Sequence, residues 1–127
     1  MANRQDLNAR AFRLAAIVFR LYPRVAACGP HHAHAARELL RAASSIGSNL
    51  EEGTAPSSRR DMAAKYEIAL RESREANYWA RLLATDPKWT DELKFVVEET
   101  SEFVAMLTVS VRKLRKPPEK PEMGDDL

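Results

Sequence analysis

Residues 62–83 read MAAKYEIALRESREANYWARLL, and the spacing of their apolar and small side chains decides the fold. These side chains return at alternating intervals of four and three positions, at Met62, Tyr66, Ala69, Ser73, Ala76, Ala80 and Leu83. Residues at this spacing share one face of an α-helix. The small residues in the middle of the seam predict that a neighbouring helix approaches closely.

Three further segments have the same helical period. Their seams are Leu7, Ala11, Leu14, Val18 and Leu21 in the first helix; Ala36, Leu39, Leu40, Ala43, Ile46 and Leu50 in the second; and Leu93, Val96, Val97, Thr100, Phe103, Val104, Leu107, Val111 and Leu114 in the fourth. Short connections between long helices favour antiparallel neighbours. We therefore predict an all-α fold, an antiparallel up-down-up-down four-helix bundle over residues 1–116.

Prolines mark the predicted helix ends. Pro23 is expected to end or kink the first helix, and the fourth helix is expected to begin at Pro87 or Thr90. The paired prolines after Lys116 stop the fourth helix. The remaining residues, 117–127, are rich in proline and charge and are predicted to form a disordered C-terminal tail.

Two glycines of the second helix carry different expectations. Gly47 lies inside the helix, where glycine costs about 1 kcal/mol relative to alanine, so we expect another backbone to come close there. Gly53 follows the last periodic residues and is expected to stop the helix.

Composition limits the class of protein. Of 127 residues, 45% are hydrophobic and 30% charged, a balance typical of one globular domain. The single cysteine, Cys28, excludes an internal disulfide, so a cytoplasmic location is expected. The polar residues 1–10 predict no secretory signal, and the apolar run from Leu14 to Phe19 is too short to span a membrane.

The residue patterns that usually carry helical metal or nucleotide chemistry are missing from the sequence. Glu-x-x-His pairs do not occur, and no phosphate-binding glycine loop or dinucleotide motif is present. His31, His32 and His34 can bind a metal weakly, but a solvated helix start is the favoured interpretation. Cys28 is close to them in sequence, and a small buried side chain is favoured over a nucleophile. We therefore predict no enzyme activity, no cofactor and no metal.

Charge is distributed unevenly along the chain. Residues 1–60 contain nine arginines, no lysine and four acidic residues, a net charge of +5, whereas residues 61–127 contain eleven basic and fourteen acidic residues, a net charge of −3. A basic half can attract a polyanion, although a solvated face that balances acidic helices is the more ordinary interpretation. The candidate nucleic-acid-binding residues are the arginines of the first two helices: Arg10, Arg13, Arg20, Arg24, Arg37 and Arg41.

Polar residues beside the predicted core are candidates for fixing helix register or assembly. Polar groups near a core must be paired, and Arg41 or Arg74 can supply the partner of a glutamate. In a bundle such residues are expected to set register rather than perform chemistry. The candidates for register or assembly are Asn49, Glu51, Glu72, Arg74, Glu75 and Trp79.

Two helices carry more apolar surface than one interior seam requires. The second stripes are Phe12, Ala15, Phe19 and Tyr22 on the first helix, and Ile68, Trp79 and Leu82 on the third. Apolar residues on more than one side of a helix indicate that more than one side is covered. We therefore expect the bundle to be one subunit of a homo-oligomer.

Two stretches together resemble a known family. Residues 41–53, RAASSIGSNLEEG, and residues 66–83 resemble the signature of a bacterial four-helix-bundle family, the 23S rRNA intervening-sequence proteins. The resemblance covers residues 7–116, and members of the family are encoded, among other places, by intervening sequences inside 23S rRNA genes. The family has no established catalytic residues to carry over to this chain.

The resemblance also implies partners. The family is similar to the accessory protein of diversity-generating retroelements, a barrel-shaped homopentamer that binds nucleic acid and a reverse transcriptase. By this resemblance the chain is expected to form a homopentamer and to contact RNA or DNA and a protein partner such as a reverse transcriptase. No membrane partner is expected.

Three functions remain open from the sequence. The first is a non-enzymatic oligomeric protein that binds RNA or DNA through its arginines. The second is a protein-interaction adaptor with no nucleic-acid role, which the mixed charge and the extra apolar stripes favour. The third, an enzyme or metal protein, is disfavoured by the missing ligand pattern.

Overall fold

Four helices account for most of the chain. The computed structural model describes residues 4–55 and 58–117, and within these residues it contains no β-strand. The helices are α1, Arg4–Ala26; α2, Pro30–Thr54; α3, Arg59–Ala84; and α4, Lys94–Arg115. Each helix packs against the next one in the chain, and α4 lies beside α1 at a wider backbone separation. The predicted antiparallel four-helix bundle is confirmed.

Side-chain hydrogen bonds between neighbouring helices show the antiparallel order. Asn8 Nδ2, near the start of α1, donates to Thr54 Oγ1 at the end of α2 at 2.9 Å. Asn77 Nδ2, late in α3, donates to the carbonyl oxygen of Val97, early in α4, at 3.1 Å. These contacts pair the first turns of one helix with the last turns of its neighbour.

Most residues of the predicted seams form the core, and the exceptions, which are half-buried beside it, are Leu40, Val97, Val104, Val111 and Leu114. All seven seam residues of α3 are buried, and Ala69, Ser73, Ala76 and Ala80 have no exposed surface. The Ser73 hydroxyl donates a hydrogen bond to the carbonyl oxygen of Ala69 at 2.8 Å. Because its polar group is paired within its own helix, Ser73 fits an apolar seam. The five seam residues of α1 are buried as well. Because the α3 seam is small, α2 can pack close to it.

Pro23 does not end the first helix. α1 continues past Pro23 to Ala26, because Val25 adds a buried side chain to the core in the turn that follows the proline. Gly29, with φ of 140°, makes the turn before α2, which starts at Pro30. The described part of the predicted disordered tail is Pro117 alone, and the rest lies outside the described residues.

The fourth helix begins at Lys94, so the predicted start at Pro87 or Thr90 is wrong. The intervening residues form successive turns. Trp89 is only 2% exposed there, and the Thr90 hydroxyl donates to the carbonyl oxygen of Ala84 at 2.7 Å. The turns that bury the Trp89 indole against the end of the bundle therefore take the place of the predicted first turn of α4.

The helical segments contain no candidate membrane span. No helix within the described ranges has an apolar stretch long and uncharged enough to cross a bilayer.

The two glycines of α2 are close to neighbouring helices to different degrees. A Cβ built on Gly47 would lie 3.6 Å from Cβ of Ala11, which is ordinary van der Waals contact. A Cβ built on Gly53 would lie 2.9 Å from ring atoms of Tyr66. Gly53 therefore does not stop α2, which runs to Thr54, but makes room for a buried tyrosine.

We expect Gly47→Ala to raise the free energy of unfolding by about 0.5–1 kcal/mol, because alanine is the better helix former and its methyl group fits. We expect Gly53→Ala to lower it by about 1 kcal/mol, because the buried ring of Tyr66 must shift. Urea denaturation of the two variants measures both changes. Equal shifts of the two unfolding midpoints in the same direction would contradict the assignment.

Candidate nucleic-acid interface

The six candidate arginines separate into two groups of three. Arg10 and Arg41 form ion pairs with glutamates of other helices, and Arg24 pairs with Glu92 in the turns before α4. The other group, Arg13, Arg20 and Arg37, is exposed and makes no ion pair or hydrogen bond with any described residue. The sequence could not distinguish the groups, because both lie off the apolar seams.

Arg10 is held against α4 by a bidentate pair. Its Nη2 donates to Glu99 Oε1 at 2.7 Å, and its Nε donates to Glu99 Oε2 at 3.0 Å. The same Nη2 donates to Glu102 Oε1 at 3.0 Å, and the guanidinium lies 5.6 Å from the ring centre of Phe103. The hydrogen bonds with Glu99 are the main cause that raises the pKa of Arg10 above its usual value. Arg10 therefore joins α1 to α4.

Glu99 is a structural residue that the sequence reading missed. Its side chain is only 8% exposed, so its charge depends on Arg10 for compensation. The spacing contains a signal for it, because Glu99 lies three positions after Val96 and four before Phe103, both buried. An acidic residue on an apolar stripe indicates a paired charge.

Arg24 makes the second link between α1 and the α4 end of the bundle. Its Nη2 and Nη1 donate to the two carboxylate oxygens of Glu92 at 2.6 and 3.2 Å. The guanidinium lies 5.6 Å from the ring centre of Trp89. The hydrogen bonds raise the pKa of Arg24 and lower the pKa of Glu92 relative to their usual values.

Arg41 pairs with the polar candidates of α3. Its Nη1 donates to Glu72 Oε1 at 3.2 Å, and its Nη2 pairs with Glu75. Glu38, one turn earlier in α2, accepts from Arg41 Nε at 3.3 Å. Of the two partners considered from the sequence, Arg41 makes the contact, whereas Arg74 is exposed and makes no ion pair with a described residue.

The remaining register candidates have local contacts. Asn49 Nδ2 donates to the carbonyl oxygen of Ser45 at 2.8 Å, within α2, and Glu51 is exposed. Trp79 is half-buried, with its ring edge-on to His34 at a centroid distance of 5.4 Å. Its indole nitrogen is buried without a hydrogen-bond partner among the described residues. A role of these residues in assembly stays a prediction.

The histidines and the cysteine lie in different surroundings. His32 Nε2 contacts Asp86 Oδ2 at 2.8 Å, and this hydrogen bond is the main cause that lowers the pKa of Asp86. His31 and His34 are both exposed, and His34 contacts the ring of Trp79. Cys28 is half-buried and donates weakly to the carbonyl oxygen of Arg24 at 3.6 Å. No group of three metal-binding side chains occurs in the described part of the chain.

The exposed arginines of α1 lie beside exposed aromatic rings. Arg13 and Arg20 are seven residues apart, which places them on one side of the helix, two turns from each other. Phe12 and Phe19 have the same spacing and are each 68% exposed. The phenylalanines of the second stripe thus lie on the surface of the single chain.

These features define the protein class as a small helical bundle in which half of the candidate arginines make no ion pair with a described residue. A family model described as 23S rRNA-intervening sequence protein matches residues 4–109. The chain belongs to the 23S rRNA-intervening sequence protein family, as the two sequence motifs predicted.

A solved structure has the same fold. It is a 1.70 Å crystal structure of a protein of unknown function from the S23 ribosomal protein family of Bacteroides thetaiotaomicron. The TM-score is 0.75 at 23% sequence identity, over 86% of this chain and 97% of the other. At this identity the likeness shows the fold alone. No curated protein matches the sequence significantly.

We expect Arg10→Met to lower the free energy of unfolding by about 2–3 kcal/mol, because it leaves the buried Glu99 carboxylate without a counter-charge. The double variant Arg10→Met/Glu99→Leu should recover most of this loss. Arg13→Met, the matched control on the same helix, should change stability by less than about 0.5 kcal/mol. Urea denaturation measures the free energy of unfolding of all three variants. Equal losses for the two single variants would refute the division into paired and unpaired arginines.

Proposed function

We propose that this protein is a non-enzymatic, oligomeric four-helix bundle that binds RNA or DNA through Arg13, Arg20 and Arg37. The observation that carries the proposal is that these three exposed arginines make no ion pair or hydrogen bond with a described residue, whereas the other three candidates are paired with glutamates. A guanidinium with no carboxylate beside it keeps its full charge for a phosphate. A paired one must first give up its hydrogen bonds.

Phosphate contacts are suited to this arrangement. Each phosphate neutralised by an arginine releases condensed counterions, which supplies affinity that does not depend on base sequence. Arginine also binds a phosphate through two parallel N–H groups. The binding we propose is therefore moderate, sensitive to salt, and directed by shape or single-strandedness more than by base contacts.

The family description indicates which nucleic acid to test first. It names the intervening sequence of 23S rRNA, so a structured fragment of 23S rRNA is the first ligand to test. The choice between RNA and DNA belongs to the experiment.

The assembly part of the proposal is supported by apolar side chains on α3. Tyr78 and Leu82 lie four residues apart on one side of this helix and are 51% and 44% exposed. Trp79, half-buried beside them, adds aromatic surface. The homopentamer, a reverse transcriptase partner and a cytoplasmic location stay predictions.

The non-enzymatic part is supported by how the polar candidates are used. Glu72 and Glu99, the two buried acidic residues among those described, each accept a hydrogen bond from an arginine, and half-buried Glu75 does so as well. Carboxylates held in this way fix helices rather than a reacting group.

A protein-interaction adaptor with no nucleic-acid role is the alternative. The exposed Tyr78 and Leu82 favour it, because a heterologous protein can cover them as well as a second copy can. A nuclease-insensitive partner recovered from the native host, and lost with Leu82→Glu, would support this alternative. Leu82→Glu should leave the monomer folded, since the side chain is 44% exposed.

We expect Arg13→Gln/Arg20→Gln/Arg37→Gln to weaken binding to a 23S rRNA fragment and to lower the slope of log affinity against log salt by about 2–3, roughly 0.9 for each lost phosphate contact. The matched control is Arg60→Gln/Arg71→Gln/Arg74→Gln. It removes three exposed charges of α3 that make no ion pair with a described residue, and it should leave the slope nearly unchanged. Fluorescence anisotropy between 50 and 200 mM salt, about the range in which such contacts are resolved, is the measurement.

No binding by the unaltered protein at the lowest salt would refute the proposed function. Equal losses in the two triple variants would show that net charge alone attracts the RNA, and that the α1–α2 arginines are not its interface.

A further inference from the structure

The outer face of α1, defined here as Phe12, Arg13, Phe19 and Arg20, carries an inference that rests on the proposed function and specifies its ligand. We infer that this face binds a single-stranded nucleic acid, with the two phenyl rings stacked on unpaired bases and the two guanidinium groups on the phosphates. Stacking on aromatic side chains beside a positively charged groove is the usual way in which proteins hold single strands.

Exposure is the first observation. Phe12 and Phe19 are each 68% exposed, whereas the other exposed large hydrophobic side chains of the described residues range from 42% to 51%. Neither ring contacts another aromatic ring or a cation in the described part of the chain. Both rings therefore offer a flat π-face to a ligand, and every base has a π-face to match.

Spacing is the second observation. The two rings are seven residues apart, which is two turns and roughly 10.5 Å along the helix axis. Stacked nucleotides of one strand rise by about 3.4 Å each, so the rings span roughly three base steps. The two arginines follow the rings by one residue and repeat at the same interval. One helix face thus presents ring and charge twice in the same order.

Charge is the third observation, and it favours a polyanion over a two-fold contact of this face with itself. Asp6 is the acidic residue of α1, Glu99 and Glu102 of α4 are paired with Arg10, and Glu92, just before α4, is paired with Arg24. The charges of Arg13 and Arg20 consequently have no carboxylate partner among the described residues. A symmetric contact between two copies of this face would bring these arginines towards each other, which is unfavourable. A phosphate backbone compensates them.

Duplex nucleic acid does not use the rings. Its bases are stacked on one another and reachable only at their edges, whereas the bases of a single strand can be splayed onto a side chain. Binding through this face should therefore depend on strandedness, and phosphate contacts alone should not.

The test compares fluorescence anisotropy of labelled single strands, an oligouridine RNA and an oligothymidine DNA, with a duplex RNA of equal length. The unaltered protein should bind the single strands more tightly. Phe12→Ala and Phe19→Ala should each weaken single-strand binding by about tenfold and leave duplex binding within about twofold. The control is Phe95→Ala, a phenylalanine of α4 that is 43% exposed, and it should change neither.

Each opposite result has a separate meaning. If the phenylalanine variants bind normally while Arg13→Gln/Arg20→Gln weakens single strands and duplex alike, the inference is overturned and the proposed function stands. If light scattering shows that Phe12→Ala or Phe19→Ala reduces the size of the assembly, the face joins copies of the chain and the inference is overturned. If the unaltered protein binds no nucleic acid at low salt, both proposals fail.

Discussion

The close approach of the first three helices through small residues is the constraint on which the rest of the structure depends. Ala69, Ala76 and Ala80 of α3 have no exposed surface, and the space beside Gly47 of α2 is bounded by Ala11 of α1. Small side chains let helix backbones come close and increase the number of van der Waals contacts at each level of the bundle. The interface between α4 and α1 is not closed in this way, and a different kind of side chain fills it.

That fourth interface is wider, and long side chains bridge it. Arg10 reaches Glu99 and Arg24 reaches Glu92, each through two N–H groups, and both arginines lie near an aromatic ring. Arginine suits this task, because its planar fork binds a carboxylate and its stem covers apolar surface. The pairing fixes the axial register of α4 against α1. It also removes two arginines from any role in attracting a polyanion.

The helical period predicted the core, because each seam residue needs only its own helix to define its face. The period could not predict which arginine is paired, because Arg10 meets Glu99 across an interface whose register no local pattern encodes. The late start of α4 was missed for a related reason. Trp89 is apolar and fits a helical stripe, yet its burial at the end of the bundle decides the local path. Gly53 fits the sequence pattern of a helix stop, although the deciding contact comes from Tyr66 on another helix.

The partition of the arginines links the two parts of the proposed function. A net charge of +5 over residues 1–60 overstates what a phosphate backbone meets, since three of the six candidate arginines are paired with glutamates. Three phosphate contacts on a single chain supply only weak, salt-sensitive affinity. An assembly that repeats the same surface makes each later contact intramolecular, which multiplies affinity without any new kind of contact. We therefore expect nucleic-acid binding by so modest a surface to depend on oligomerisation, and the proposal requires copies that meet at Tyr78 and Leu82 of α3 and leave the α1 face open.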